Sequence, residues 1–256
     1  MKLSIITINF NDKKGLEKTI KSVTSQSFND MEYIVIDGGS TDGSCEVIKE
    51  HVSNIDHWVS ESDNGIFNAM NKGLDRSSGE YCLFLNSGDY LLDGVLHKVF
   101  ANDLTDDIAY GDLRVKSGEA CEDIAFPEYI TFFNLFTAYL PHPSTFIKKR
   151  CFEAIGGYDE KYAIVSDWAF FAKAIGKYNF STKHIPLTIS CHSLGGISSQ
   201  PQHNKRHQEE RQLFLKNEFP AFYDDYMELM ALKNLSRKLD INLMLSLKKI
   251  IKNVIK

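Results

Sequence analysis

Four small polar residues, Asn86-Ser87-Gly88-Asp89, cut off the apolar run Leu83-Phe84-Leu85. A carboxylate held at the end of a buried strand can take a hard divalent cation, and such an ion readily shares its shell with substrate phosphates and water. In that reading Asp89 supplies one oxygen ligand and Asn86 a weaker one, beside the charge of a diphosphate. An ordinary turn accounts for the same four residues. Asp37, in VIDGGSTDGS, also has two readings. It is either a strand end before a glycine turn and a helix cap, or a carboxylate accepting an N–H from a bound base beside an anion-favouring helix start. Asp167 opens SDWAFFAK. Capping a helix is a common job for such a residue; the alternative is a general base that takes the proton of an acceptor hydroxyl. His192, in ISCHSLGGIS, and more weakly His142, in PHPS, are either structural histidines or contacts to a metal or phosphate.

The elements around these residues have a regular order. KLSIITINF reads as a buried strand, and residues 12–26 carry helical spacing through Leu16, Ile20 and Val23. MEYIVID is a second strand, and STDGSCEVIKEHV is a capped helix. DHWVSE is a short third strand, NGIFNAMNKGLDRS a helix through Ile66, Met70 and Leu74, and YCLFLN a fourth strand. Strand and helix in this alternation imply right-handed crossovers and a mainly parallel sheet. In such sheets ligands lie beyond the carboxyl ends of the strands. Asp37, Glu61, Asp63 and the 86–89 segment all fall at those ends. The second half is less regular: DIAYGDLRVK, PHPSTFIKK and HIPLTISCHS read as strands, RCFEAIGGYDE and DWAFFAKAIGKY as helices. From about Pro201 the chain reads as wholly helical, with eleven Lys/Arg against seven Asp/Glu.

The 256 residues, 43% hydrophobic and 25% charged, can build one large domain with an appendage. A net charge of −5 argues against a dedicated nucleic-acid binder. The five cysteines include no CxxC pair and are odd in number, which fits reduced thiols better than a disulfide frame or zinc site. The start reads as a strand and not a signal peptide, and no apolar run approaches the roughly 18 residues of a membrane span. G-x-G-x-x-G, P-loop, G-x-S-x-G and H-E-x-x-H motifs are absent.

The ordered set SIITINFND, VIDGGSTDGS, SESDNGIFNAMNKGL, YCLFLNSGD, HPSTFIKKRCFEAIGGYDEKY and SDWAFFAKAI resembles the family-2 glycosyltransferases of GT-A type, in particular bacterial enzymes of surface-polysaccharide assembly. The likeness covers residues 2–200. It implies an α/β, Rossmann-like, mainly parallel sheet flanked by helices as the catalytic domain (1–200), with 201–256 as a helical C-terminal extension. It also implies a nucleotide-diphospho-sugar donor, a divalent Mn²⁺ or Mg²⁺, and inverting transfer of a hexosyl or N-acetylhexosaminyl group to a hydroxyl. Carried over by position, Thr7 and Asn9 lie where the first strand meets the nucleotide, and Asp37 contacts the base, usually uracil. Asp63, Asn64, Asn71 and Lys72 match the segment beside ribose and diphosphate. Asn86 and Gly88 occupy the two acidic positions of the family's D-x-D signature, with Ser87 between them on the donor. Asp89 and His192 match metal contacts, Asp167 the base, and His142 and Gly157 the acceptor side. Both D-x-D acids are replaced, so Asp89 carries more of the coordination; Ser166 stands where Glu commonly precedes the base.

The resemblance points to a glycan or lipid-linked acceptor of capsule, O-antigen or exopolysaccharide, and to a cytoplasmic enzyme peripheral on the inner face of the plasma membrane. A catalytically inactive nucleotide-sugar binder is the alternative raised by the missing acids; a nucleotidyltransferase would want a basic glycine-rich loop, for which TINFNDKKG is poor. The last stretch, INLMLSLKKIIKNVIK, places Leu243, Leu247, Ile250 and Val254 on one helical face, with lysines at 248, 252 and 256 and no acid. It reads as a helix on the catalytic domain, a homodimer contact, or an amphipathic helix on an anionic membrane.

Overall fold

The computed structural model describes residues 1–101, 103–193 and 204–254, of which 239–254 are described as helical backbone only. The expected domain break near 200 and the side chains of 241–256 therefore lie outside the described residues. Two compact units divide at a later point, Met1–Arg211 and Gln212–Lys256.

The first unit begins with the expected alternation: β1 (Leu3–Asn9), α1 (Lys13–Thr24), β2 (Met31–Asp37), α2 (Ser44–Glu50), β3 (His57–Ser60), α3 (Ile66–Arg76) and β4 (Tyr81–Phe84). Strand β1 pairs in parallel with β2 and β4, and β2 with β3. Every residue of β1 is buried, because helices cover both faces, and this is why the strand reads as a near-continuous apolar run. The period of two sorts its side chains. Leu3 and Ile5 pack with Leu16, Ile20 and Val23 of α1. Ile6 and Ile8 pack with Met70 and Leu74 of α3 on the other face. Helix α3 lies so close to β1 that a Cβ at Gly73 would sit 2.4 Å from Cγ2 of Ile6.

The rest of the unit contains β5 (Tyr90–Leu91), α4 (Val95–Val99), β6 (Ile108–Ser117), β7 (Ala120–Ile124), α5 (Phe132–Thr137), β8 (Thr145–Lys148), α6 (Lys149–Ile155), α7 (Ser166–Gly176) and β9 (Thr182–Ser193). They extend the sheet to the order β3-β2-β1-β4-β8-β6-β9-β5, with β7 on β6. Here β8 is antiparallel to β4 and β6, β5 is antiparallel to β9, and β6 runs parallel to β9. The expected parallel sheet is thus its N-terminal half, and the whole is mixed. Strand β9 carries His192 past β6 to the loop after β4. The remaining helices are α8 (Asn204–Glu218) and α9 (Pro220–Val254); the break between them falls at Pro220, which fits the first turn of a new helix but not the interior of a continuing one. No helix among the described residues is long and apolar enough to cross a membrane.

Candidate active site

The carboxyl ends of β1, β2 and β4 meet at one rim. The Asp37 side chain is 0% exposed, and a buried carboxylate must be paired or hydrogen-bonded. Its Oδ1 accepts from Asn9 Nδ2 at 2.7 Å and Ser40 Oγ at 2.6 Å; Oδ2 accepts from Ser60 Oγ at 2.6 Å and from the Ser40 and Gly39 amides at 2.9 and 3.2 Å. Burial alone would raise its pKa, but donors from Ser40, Ser60 and Asn9 outweigh it and hold the carboxyl below the ordinary range. Asp37 therefore organises the Gly38–Ser40 turn. Ser40 and Ser60 escape sequence inspection, because only the fold brings them together.

From Asp37 the network crosses to β4. Ser87 Oγ donates to Asn9 Oδ1 at 2.7 Å, and the Ser87 amide to Ile8 O at 3.0 Å. Gly88 holds φ at +95°, a left-handed conformation suited to glycine. Thr19 of α1 clamps this loop: it accepts from the Gly88 amide at 3.1 Å and donates to Asp89 O at 2.6 Å. Asp89 Oδ1 meets His192 Nδ1 at 2.8 Å and accepts from the Ser193 amide at 3.3 Å. The hydrogen bond to Asp89 holds the imidazole's affinity for a proton above its usual value, against the effect of burial. Asn86 Oδ1 is buried with no hydrogen-bond partner. A buried orphan oxygen is costly, and on the loop that also carries Asp89 it is the kind of oxygen that a divalent ion takes along with those of phosphates and water. Among the described residues no cluster of three or more His, Cys, Asp or Glu could hold a metal alone.

Asp167 lies in the first turn of α7, where its Oδ1 accepts from the Trp168 amide at 2.8 Å. Burial lowers the proton affinity of the His142 imidazole, and the carboxylates of Asp167 and Asp89 both oppose that, so both lie within electrostatic reach of one ring. His142 itself, expected to face an acceptor, is buried: its Nε2 meets Tyr158 Oη at 2.7 Å and its ring stacks on Phe84 at 5.2 Å. An aromatic cluster leaves it no open face, and its place is behind the site.

Two more expected contacts lie behind the rim. Thr7 is 0% exposed and accepts from Tyr33 Oη at 3.0 Å, because the strand period turns it into the α1 face of the core. Asn71 accepts from the Tyr158 amide at 2.9 Å and donates to Tyr158 O and Glu160 Oε1, both at 2.9 Å. Its carboxamide is a clip for the loop that starts at Gly157, where φ is +77° and a Cβ would sit 2.9 Å from Asn71 Oδ1. Lys72 is tied to Glu61 Oε1 at 2.8 Å and Ser62 O at 3.2 Å. Asp63 remains at the rim: its Oδ2 lies 2.5 Å from where a Gly38 side chain would begin, and its Oδ1 accepts from the Gly65 amide at 2.9 Å. The Asn64 amide donates to Asn68 Oδ1 at 3.2 Å, starting α3. Phe10, which the sequence did not single out, follows Asn9 at 66% exposure, and its Cδ2 lies 3.2 Å from where a Gly38 side chain would begin. A large aromatic exposed directly after a fully buried strand is the signal that could have found it.

A family model described as glycosyl transferase family 2 matches residues 4–150, more than half of the chain. The chain belongs to this family. An uncharacterized glycosyltransferase of Mycobacterium tuberculosis is 32% identical over 196 residues, covering 74% of this chain and 72% of the relative. Among solved structures, S. aureus TarS 1–349 in complex with UDP-GlcNAc superposes with a TM-score of 0.67 at 17% identity over 85% of this chain and 67% of that one; the chain spans 42% of a longer TarS chain. The mannosyltransferase PcManGT from Pyrobaculum calidifontis, in complex with GDP-Man and Mn²⁺, gives a TM-score of 0.65 at 15% identity over 88% of this chain and 68% of that one. At these identities the likeness speaks for the fold, which is GT-A. The glycosyltransferase thus sets its Asn86–Asp89 loop and its Asp37 turn along one edge.

Replacing Asp37 by Asn should destabilise this glycosyltransferase at pH 7 by about 1–3 kcal/mol, because buried donors lose their acceptor. The Asp37 carboxyl is held below its unfolded value, so its contribution is complete above that value and disappears as pH falls through the folded one. Urea unfolding of both proteins should show the gap closing below about pH 4; a gap independent of pH would contradict this account.

Proposed function

We propose that this glycosyltransferase performs inverting transfer from a UDP-sugar to a hydroxyl of a lipid-linked glycan. The observation that carries the reading is the hydrogen-bonded path from Asp37 through Asn9 and Ser87 to the loop of Asp89 and His192. The solved neighbour bound to UDP-GlcNAc supports a UDP donor, and the one bound to Mn²⁺ supports a divalent cofactor.

In this reading the Phe10 ring offers a flat face to the base beside the turn that Asp37 fixes. Asn9, Ser87 and Asp63 border the ribose and diphosphate, and Asn86, Asp89 and His192 would hold Mn²⁺ or Mg²⁺. Such an ion, when bound, offsets charge that grows on the diphosphate. Asp167 takes the proton of the acceptor hydroxyl, whose oxygen forms the new bond to the anomeric carbon. The bond from that carbon to the diphosphate oxygen breaks on the opposite side, and its electron pair leaves with the nucleoside diphosphate. One displacement inverts the anomeric centre. A lipid-linked acceptor, assembled into a surface polysaccharide on the cytoplasmic side of the membrane, would suit the lysine-bearing sequence 241–256.

A thermal-shift screen of UDP-, GDP- and dTDP-sugars with and without Mn²⁺ identifies the donor, since a ligand bound only by the folded state raises the melting point; a larger shift with a GDP- or dTDP-sugar would replace UDP. Asp167→Asn should lose about 10²–10⁴-fold in kcat, the worth of general-base help, with donor affinity retained. Near wild-type turnover would remove the base from Asp167. Asp89→Ala should weaken donor binding in the presence of Mn²⁺, read by calorimetry; unchanged affinity would deny it a part in holding the ion. A chain ending at residue 240 should bind anionic vesicles less well than the full chain in sedimentation, and equal binding would dismiss the membrane role of the last sixteen residues.

A further inference from the structure

We propose that Glu210, reaching from α8, is the positioning residue of the candidate base Asp167. The first turn of α7 has no side-chain cap of its own: its N-cap residue is Val165, which has nothing to offer the amides there. The loop that leads into it carries the Ala163, Ile164 and Val165 amides, and all three point at one carboxylate. Ala163 N donates to Glu210 Oε1 at 3.1 Å, and Ile164 N and Val165 N donate to Oε2 at 3.0 and 3.3 Å. Glu210 is itself 9% exposed, and Arg206 one turn earlier approaches its Oε1 at 2.8 Å. Three successive amides on a buried carboxylate make charge-assisted bonds, which are stronger than neutral ones. Ser166 and Asp167 follow directly, so the carboxylate fixes the direction in which the chain delivers Asp167.

The neighbouring residues of α8 do the same from a second side. Arg211 Nη2 donates to the carbonyls of Leu135, Phe136 and Ala138 at 2.7, 3.2 and 2.8 Å, closing the end of α5. Its guanidinium lies 4.1 Å from the centre of the Trp168 ring, the residue after Asp167, and Trp168 Nε1 donates to the same Leu135 carbonyl at 2.7 Å. Burial pushes the Arg211 guanidinium down to about 10, and the Asp167 carboxylate opposes this. His207 likewise feels both Asp167 and Glu210. Residues 204–211 thus belong to the first compact unit, and they brace Asp167 from both the backbone before it and the side chain after it. A base displaced by about 1 Å can lose on the order of 10²-fold in rate, so the brace carries catalytic weight although no atom of Glu210 need touch substrate.

This inference rests on Asp167 being the base, and a double-mutant cycle separates the two claims. Nucleoside diphosphate release is followed with the nucleotide sugar that gives the largest thermal shift. Glu210→Gln keeps the size but presents an amide N–H to one of the loop N–H groups; its kcat should fall about tenfold or more, with the donor KM unchanged. In an Asp167→Asn background the same change should have no further effect on kcat, because Glu210 acts through the group already removed. An equal loss in both backgrounds, or wild-type kcat in Glu210→Gln while Asp167→Asn is impaired, overturns the positioning role alone. Full activity of Asp167→Asn overturns the base reading, and this proposal with it. Should Glu210→Gln fail to fold, Glu210→Asp keeps the charge but is one methylene too short to hold all three amides, and the same non-additivity is expected of it.

Discussion

A negative charge buried at the end of β2 governs the geometry of the site. Asp37 has no solvent to stabilise it, so the protein must bring donors to it. Asn9 comes from β1, Ser60 from β3 and Ser40 from the turn beyond. Each of these donors is held at the carboxyl end of its strand or directly after it, so satisfying one carboxylate aligns three segments. Asn9 then has its amide oxygen left for Ser87, which extends the alignment to the loop after β4. The parallel register of β1 with both β2 and β4 makes this economical, because parallel strands finish on the same side.

The loop after β4 has a different logic. Where the family's signature would put two acids, Asn86 and Gly88 leave a site with one carboxylate, Asp89, and that carboxylate is already shared with an imidazole. Closely spaced carboxylates repel one another unless a cation intervenes. Here the loop is stable with a single acid, clamped by Thr19 from one side and Ser193 from the other. The polar atom left without a partner is the neutral oxygen of Asn86.

Much of the first half is legible in the sequence, because β1, β2 and β4 are apolar runs of strand length and α1 and α3 have clear helical spacing. The positions of Asp37, Asp89 and Asp167 along the chain were also legible. What each carboxylate touches was not. Thr7 and Asn9 look alike as polar residues two apart on one strand, yet Thr7 lies in the core while Asn9 ends the strand beside the turn that follows β2. His142 resembles a site histidine in sequence and is enclosed by rings contributed by Phe84, Tyr158 and Phe171. Strand β5 has two residues and β7 is a polar edge, so neither has enough pattern to be read. The second half of the sheet, in which β6 runs parallel to β9 and antiparallel to β8, depends on pairings between distant segments, which one sequence does not display.

The reach of α8 into the loop before α7 also changes where the catalytic unit ends. The last strand of the described residues ends at Ser193, and a truncation just after it would look like a tidy domain. It would remove the acceptor of three loop amides, two of them buried, and the donor to the carbonyls of Leu135 and Phe136 in α5 and of Ala138 just after it. Such a fragment would keep every strand of the sheet and still be unfinished at the point where α7 begins. The first compact unit of this chain extends through Arg211, and any shuffling of C-terminal segments among relatives would have to preserve Glu210 and Arg211 to keep the start of α7 and the end of α5 held.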